Sequence, residues 1–427
     1  MSLKELLDAY CDASPIRYHM PGHKGKVPVC PAHDVTELDC TDDLYCPGDA
    51  IMKLERTLAL RSGSKCTLAL TDGSSAGVRI IFMVLAEHAA NKRVLLADNL
   101  HRSAIDGCIL AGIDPEILPP CDIEDNIDSS VGAVFLTSPD YYGSITPLES
   151  IAKKCKQVNA ILAVDEAHGA HLPYIGIKSA SSIADISVQS MHKTMGALTQ
   201  AATLCVNNTE LINSAKYHRR GLCTSSPSFL VLESMEWASE QYSLLAEDFL
   251  NRLRSLRDGL SLKHASLGSA EGRDPSRLCI TVSPYTSGHR ASELLKGMGI
   301  IPEMADASRV VLILSPHDGD YTPLKQALLS LDEALPDFNC DITVPKAPKC
   351  KRVISMRSAA LAKKRYLPLR DAIGRICATS AGAYPPGIPC IYPGCIIDED
   401  IALYLEAVAS RGEVFGFDDN IAVVDGL

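Results

Sequence analysis

No run of apolar residues approaches the ~18 that a membrane-crossing helix requires. The best candidate, Ala76 to Ala90, is interrupted by Arg79, Glu87 and His88, so no membrane span is expected. Positive charge is also scarce: 41 Lys and Arg stand against 52 Asp and Glu, a formal net charge of -11 with a pI of about 5.6. Nucleic-acid binders need clustered cations to displace counterions, so this balance argues against DNA or RNA as a partner. The 16 cysteines include no Cys-x-x-Cys pair, and the nearest spacings, Cys40 with Cys46 and Cys390 with Cys395, match no zinc signature. The N-terminus, Met1 to Asp8, lacks the basic region and apolar core of a secretory signal. A reducing, cytosolic setting is expected, with most thiols serving as small buried apolar residues. Internal repeats and low-complexity tracts are absent as well.

What remains is the composition of a globular protein: 427 residues, 46% hydrophobic and 22% charged, enough for two or three domains. Residues 1–50 are rich in turn formers, with Pro21-Gly22-His23-Lys24-Gly25 and Cys46-Pro47-Gly48-Asp49, and read as an extended N-terminal arm. Over 51–265, short apolar runs alternate with helix-length segments. Arg93 to Ala97, Val131 to Thr137, Ala160 to Val164, Ile183 to Val188 and Ala201 to Val206 are strand candidates, and this alternation predicts a mostly parallel sheet covered on both faces. Val78, Ile81, Phe82 and Leu85 fall at i, i+3, i+4 and i+7, one apolar face of a helix starting after Gly73-Ser74-Ser75. Strand, helix, strand recurs on a smaller scale from Arg277 to Leu314, giving a small α/β domain over 266–340 and a C-terminal domain over 341–427. The Lys/Arg-rich stretch from Lys346 to Arg352 reads as a solvated linker. The proline-dense Tyr384-Pro385-Pro386-Gly387-Ile388-Pro389 reads as a rigid loop.

Chemistry concentrates where strands end. Lys193, in Ser190-Met191-His192-Lys193-Thr194, follows an apolar strand and precedes small residues, which presents its amine at a strand's carboxyl end, where open α/β sheets bind ligands. Asp165, in Asp165-Glu166-Ala167-His168, closes the preceding strand. The pair suggests pyridoxal phosphate, which needs a lysine for its aldehyde and a carboxylate for its ring nitrogen. That carboxylate keeps the nitrogen protonated, so the ring accepts the electrons of a bond broken at Cα. At ~4 Å and an effective dielectric of about 20 the attraction is roughly 4 kcal/mol, about three pKa units. Thr71-Asp72-Gly73-Ser74-Ser75 places hydroxyls at a helix N-terminus, a seat for the phosphate or simply an N-cap. His101 follows another strand and could stack on a ring. A metal site of Asp165, His168 and His171 competes, since i, i+3 and i+6 can share a helical face, but Gly169 weakens a helix there and Lys193 would be unexplained.

At this point the sequence resembles the pyridoxal-phosphate-dependent ornithine/lysine/arginine decarboxylases. The motifs Tyr18-His19-Met20-Pro21-Gly22-His23-Lys24, Thr36-Glu37-Leu38-Asp39, Ser138-Pro139-Asp140-Tyr141-Tyr142-Gly143, Arg273-Asp274-Pro275-Ser276-Arg277 and Tyr384 to Pro389 stand in the family's order over nearly the whole chain. The resemblance implies an aspartate-aminotransferase-like fold, with a mostly parallel central sheet in a large domain and smaller α+β domains after it, in the short form without an extra N-terminal domain. It implies Lys193 as the cofactor lysine, Asp165 on the ring nitrogen, His101 and Ala167 on the two ring faces, and His168 near the ring hydroxyl. Ser74, Ser75, Ser190 and His192 would hold the phosphate. Thr224 and Ser225 would approach a neighbouring subunit's site, so a homodimer or larger even-numbered assembly is implied, with the arm wrapping the partner.

The expected activity is decarboxylation of a basic amino acid to its amine and CO2, in polyamine metabolism, with His192 or Lys193 returning the proton to Cα. An aminotransferase or other lyase using the same cofactor, and a catalytically silent homologue, are the alternatives. Cys395 stands where the family usually has an acid for the substrate's distal cation. Asp398, Glu399 and Asp400, or Asp39 and Asp42 of the arm, are candidates to compensate.

Overall fold

The apolar runs assemble into one twisted sheet whose strand ends bring the chemistry-bearing turns together. In a computed structural model that describes residues 3–38, 41–89, 92–269, 271–336, 338–339, 347–384, 387–411 and 414–426, the large sheet has seven strands. They are β1 (Cys66–Leu70), β2 (Arg93–Ala97), β3 (Glu116–Leu118), β4 (Val131–Thr137), β5 (Ile161–Glu166), β6 (Ile186–Ser190) and β7 (Ala202–Val206). Their order is β1-β7-β6-β5-β4-β2-β3, and β7 alone runs against its neighbours. The sheet is thus mostly parallel, as its apolar runs predict, with two strands the sequence reading did not single out, β1 and β3.

Helix α1 (Gly73–His88) packs on this sheet through Val78, Ile81, Phe82 and Leu85, all fully buried. Burying side chains of this size stabilises by about 1.5–3 kcal/mol each. The same helix also buries Ile80 and Val84, so it is covered on more than one face. The other side of the sheet carries a separate apolar cluster that includes Leu95, Val134, Leu136, Leu162 and Val164, with Leu148, Ile151 and Cys155 from the helix Leu148–Val158.

A four-stranded antiparallel sheet follows, ordered Met304–Ala305, Arg309–Ile313, Arg277–Thr281 and Ser266–Leu267, with the helix Gly288–Gly297 between its two longer strands in sequence. The C-terminal segment has a three-stranded sheet (Ile388–Ile391, Ala381–Ala383, Val414–Phe415) and two strand pairs, Lys351–Arg352 with Cys395–Ile396 and Lys364–Pro368 with Asn420–Val424.

Three sequence expectations are revised. The N-terminal segment is not wholly extended: Leu3–Asp12 is a helix, matching the spacing of Leu3, Leu6, Leu7 and Tyr10, and Ile16–Tyr18 pairs in parallel with Ile300–Pro302 of the same chain. The basic stretch is not all solvated linker, because Lys351–Arg352 is a strand and Arg352 bonds Asp114 at 3.0 Å; Lys346 lies outside the described residues. The loop at Tyr384 joins two strands of a hairpin, with Pro385 and Pro386 outside the described residues.

Candidate active site

Strand alternation sends successive side chains to opposite faces, and the end of β5 uses this to separate two acids. Glu166 turns into the core, accepting hydrogen bonds from the Ala180 and Ser181 N–H groups and from Gln189 Nε2 at 2.7, 3.0 and 2.8 Å. Burial pushes its carboxyl up to about 7. Asp165, 5% exposed, accepts the Ala167 N–H on Oδ1 at 3.0 Å, its one hydrogen bond among the described residues. Burial raises its pKa, while Lys193 and that N–H pull the other way.

The next strand, β6, runs into the single-turn helix Met191–Thr194, which carries Lys193. The turn is pinned from both sides. Ala201 O accepts the Met191 N–H at 3.0 Å, and His192 O accepts the Gly22 N–H at 2.9 Å. A Cβ on Gly22 would lie 3.3 Å from Gly196 N, Lys193 O and Thr194 C, so the arm touches the lysine turn where only glycine fits without displacing backbone. Gly196 has φ +98 and packs against the His317 ring, which in turn stacks on Trp237 at 5.0 Å.

Lys193 is partly buried, with Nζ 3.2 Å from His168 Nε2. Burial lowers the lysine pKa; the Asp165 and Glu303 carboxylates oppose this, and Arg277 reinforces it. His168 is itself buried, with Nδ1 3.0 Å from Arg277 Nη2 and the Tyr141 ring edge-on at 4.9 Å. His101 caps the helix Arg102–Ala111, its Nδ1 accepting the Ser103 N–H at 3.2 Å, and burial with the nearby Lys193 charge pushes it down to about 4. His192, also pushed down to about 4 by burial, meets Ser190 Oγ at 3.2 Å.

The helix α1 opens with Gly73, Ser74 and Ser75, and its N-cap Asp72 makes no capping bond. The Asp72 carboxylate instead takes the Thr71 hydroxyl and the Thr224 N–H. Gln200 O accepts the Gly73 N–H at 2.9 Å, and the N–H groups that follow it, at the positive end of a 16-residue helix, suit an anion. With a lysine amine, a buried carboxylate holding one oxygen unpartnered among the described residues, and this anion seat, the donor set fits pyridoxal phosphate.

Residues 2–266 match the major domain of the Orn/Lys/Arg decarboxylases, and residues 346–425 their C-terminal domain. The chain belongs to the Orn/Lys/Arg decarboxylase family. The decarboxylase is 26% identical to an arginine decarboxylase of Bacillus subtilis over 93% of this chain and 91% of that protein. It is 27% identical to an arginine decarboxylase of Halalkalibacterium halodurans, again over 93% and 91%. In fold it is similar to lysine decarboxylase A from Pseudomonas aeruginosa, with a TM-score of 0.72 at 15% identity, covering 99% of this chain and 82% of that one.

Around Lys193 the decarboxylase gathers Asp165, His168, His192 and His101. Ala167 stands two residues after Asp165 and is buried, as is Ser190. Thr224 and Ser225 are exposed, on the loop that Asp72 ties to the start of α1. Cys395 is not brought to the site: it is fully buried in the C-terminal core, 2.8 Å from Cys350 Sγ, and a side chain with no exposed surface cannot meet a substrate. Of the candidate compensating acids, Glu399 and Asp400 are exposed in the first turn of the helix Glu399–Ala409. Asp398 caps the helix Glu399–Ala409, Asp42 accepts N–H groups from Asp43, Gly48, Asp49 and Ile51, and Asp39 lies outside the described residues. Asp165, His168 and His171 do not converge as metal ligands, since His171 Nε2 is taken by Asp274 at 2.9 Å.

Sequence reasoning missed Arg277 and Tyr141 as neighbours of His168, and Glu303 as a charge acting on the lysine. Glu303 accepts the Tyr141 hydroxyl at 2.6 Å and the Met20 N–H at 2.8 Å. Arg277 and Tyr141 did stand inside family motifs, which was the available signal; Glu303 had none.

Proposed function

We propose that this decarboxylase acts on arginine, lysine or ornithine with pyridoxal phosphate held by Lys193. The observation that carries the reading is the placement of Lys193 and the buried Asp165 at the ends of two adjacent parallel strands, within a chain of this family. When bound, the cofactor supplies an aldehyde for the amine and an electron sink for the bond broken at Cα. The rest falls to the chain. Lys193 presents an amine whose lowered pKa makes it a nucleophile nearer neutral pH. Asp165 keeps a negative charge where the ring nitrogen must hold its proton. Ser74, Ser75, Ser190 and His192 would hold the phosphate, His101 and Ala167 would flank the ring, and His168 would lie near its hydroxyl. Lys193 is the better assignment for returning the proton to Cα, because Ala201 O can only accept from His192 Nδ1, which leaves a neutral His192 ring with a lone pair and no proton on Nε2. A place in polyamine synthesis, in the cytosol and as a homodimer with Thr224 and Ser225 facing the partner's site, belongs to the same proposal.

The test is borohydride reduction of the purified protein followed by peptide mapping, alongside measurement of amine and CO2 from each of the three amino acids. The reduced cofactor is expected on Lys193, and release of both products from at least one substrate. Cofactor on another lysine, or consumption without CO2, refutes it.

A further inference from the structure

Lys193 is one end of a hydrogen-bonded chain whose proton count is set at the other end. Arg277, 3% exposed, places Nη2 3.0 Å from His168 Nδ1, and Nε2 of the same ring lies 3.2 Å from Lys193 Nζ. A guanidinium has N–H donors and no acceptor, so His168 Nδ1 must accept. A neutral imidazole has one N–H, which then sits on Nε2 and points at Lys193. An ammonium has no lone pair to receive it. The chain of bonds closes only when Lys193 is an uncharged amine.

An imidazolium is disfavoured by the same contact, because it would set a second N–H against Arg277, and burial already holds His168 well below the usual histidine range. Arginine suits the task because its charge is permanent and its donors are fixed in a plane. Arg277 Nε and Nη1 are buried without a partner among the described residues, so bonding does not spread its charge elsewhere.

We propose that Arg277 is a positioning residue which holds His168 in the Nε2–H tautomer and thereby keeps Lys193 as the uncharged amine able to add to an aldehyde. The charged groups facing Lys193 divide on this point. Asp165 and Glu303 favour the ammonium, Arg277 opposes it, and His101, His168 and His192 are neutral near pH 7. The inference rests on reading Lys193 as the cofactor lysine.

The experiment is competitive labelling of lysines by trace acetic anhydride in the full chain after any bound cofactor has been removed, resolved by peptide mass spectrometry across pH. Lys193 is expected to react at lower pH than the exposed Lys178. In Arg277→Met the Lys193 profile shifts upward by about one pH unit, a roughly tenfold loss of labelling near neutral pH, and Arg277→Lys recovers part of it. A folded Arg277→Met chain with an unshifted Lys193 profile overturns the proposal. Should that variant not fold, 15N NMR of the histidine-labelled parent chain decides, with the His168 signal assigned by its loss in His168→Gln. An unprotonated Nδ1 on His168 is expected, and a protonated one overturns the proposal. Because labelling needs no cofactor, failure here is distinct from failure of the borohydride mapping, which would sink the cofactor assignment instead.

Discussion

Asp165 shows how one buried group is held between opposed effects. Burial favours its neutral form, the Lys193 charge and the Ala167 N–H favour the carboxylate, and a cationic ring nitrogen would add a decisive further attraction. Asn at this position has nearly the same shape and can still accept the Ala167 N–H, but it carries no charge. Asp165→Asn should therefore retain cofactor, measured by absorbance after gel filtration, while turnover falls by at least about a hundredfold. Near-parental turnover would remove the electrostatic role. Lys193, Asp165 and His101 were legible as candidates because each stands at or shortly after the end of an apolar strand. Arg277 was not, since its contact with His168 joins residues 109 positions apart, and no local pattern records a partner at that distance.

At the scale of elements, the arm, the lysine turn and the long helix Phe229–Asp258 meet at His317, whose ring lies between Gly196 and Trp237. Burial pushes this histidine down to about 4. Its folded pKa is depressed, so the unfolded chain takes up a proton first on acidification, and this site's contribution to stability is complete above about 6.5 and lost as pH falls toward 4. Replacing His317 with Phe should leave the melting temperature little changed in its pH response above 7, and make the variant gain on the parent steadily between 6.5 and 4. Parallel melting curves across that range would contradict it.

The buried Cys395 gives a second element-scale outcome. Cys395→Glu would place a carboxylate in an apolar core beside Cys350, with the cross-strand Arg352 already committed to Asp114, at a cost of several kcal/mol. A clear fall in denaturation midpoint with no gain toward arginine, lysine or ornithine is expected; improved turnover would show that Cys395 does reach the substrate. The family pattern marked this position as unusual, but only the packing reveals that a thiol there serves the core. The arm's first helix went unread for a related reason, because the turn-forming residues after it dominated the local texture.

For the whole molecule, strand identity was readable and strand direction was not. The run that becomes β7 is as apolar as the parallel strands of the sheet, since a strand buried on both faces has the same composition either way. β1 is a five-residue run between a helix and a glycine-rich turn, too short to stand out. Assembly lies further still from sequence. If the exposed Thr224 and Ser225 face a partner's site, sedimentation equilibrium should return an even multiple of the 45.9 kDa chain mass, and a purely monomeric active protein would refute that geometry.

The position of β7 has a consequence for how this molecule comes into being. β1 emerges from the ribosome before the other strands of the sheet, yet its partner in the ladder, with Cys66 opposite Val206, is the last of them to be made. Until then β1 is an edge awaiting a neighbour across a long stretch of nascent chain, an arrangement whose closure entropy makes it late to form. Lys193 lies in the connection between β6 and β7, so the event that completes the sheet is also the event that seats the lysine. Translation halted before Ala202 would yield a chain holding Asp165, His101 and both serines of α1, and lacking the strand that gives Lys193 a fixed place among them.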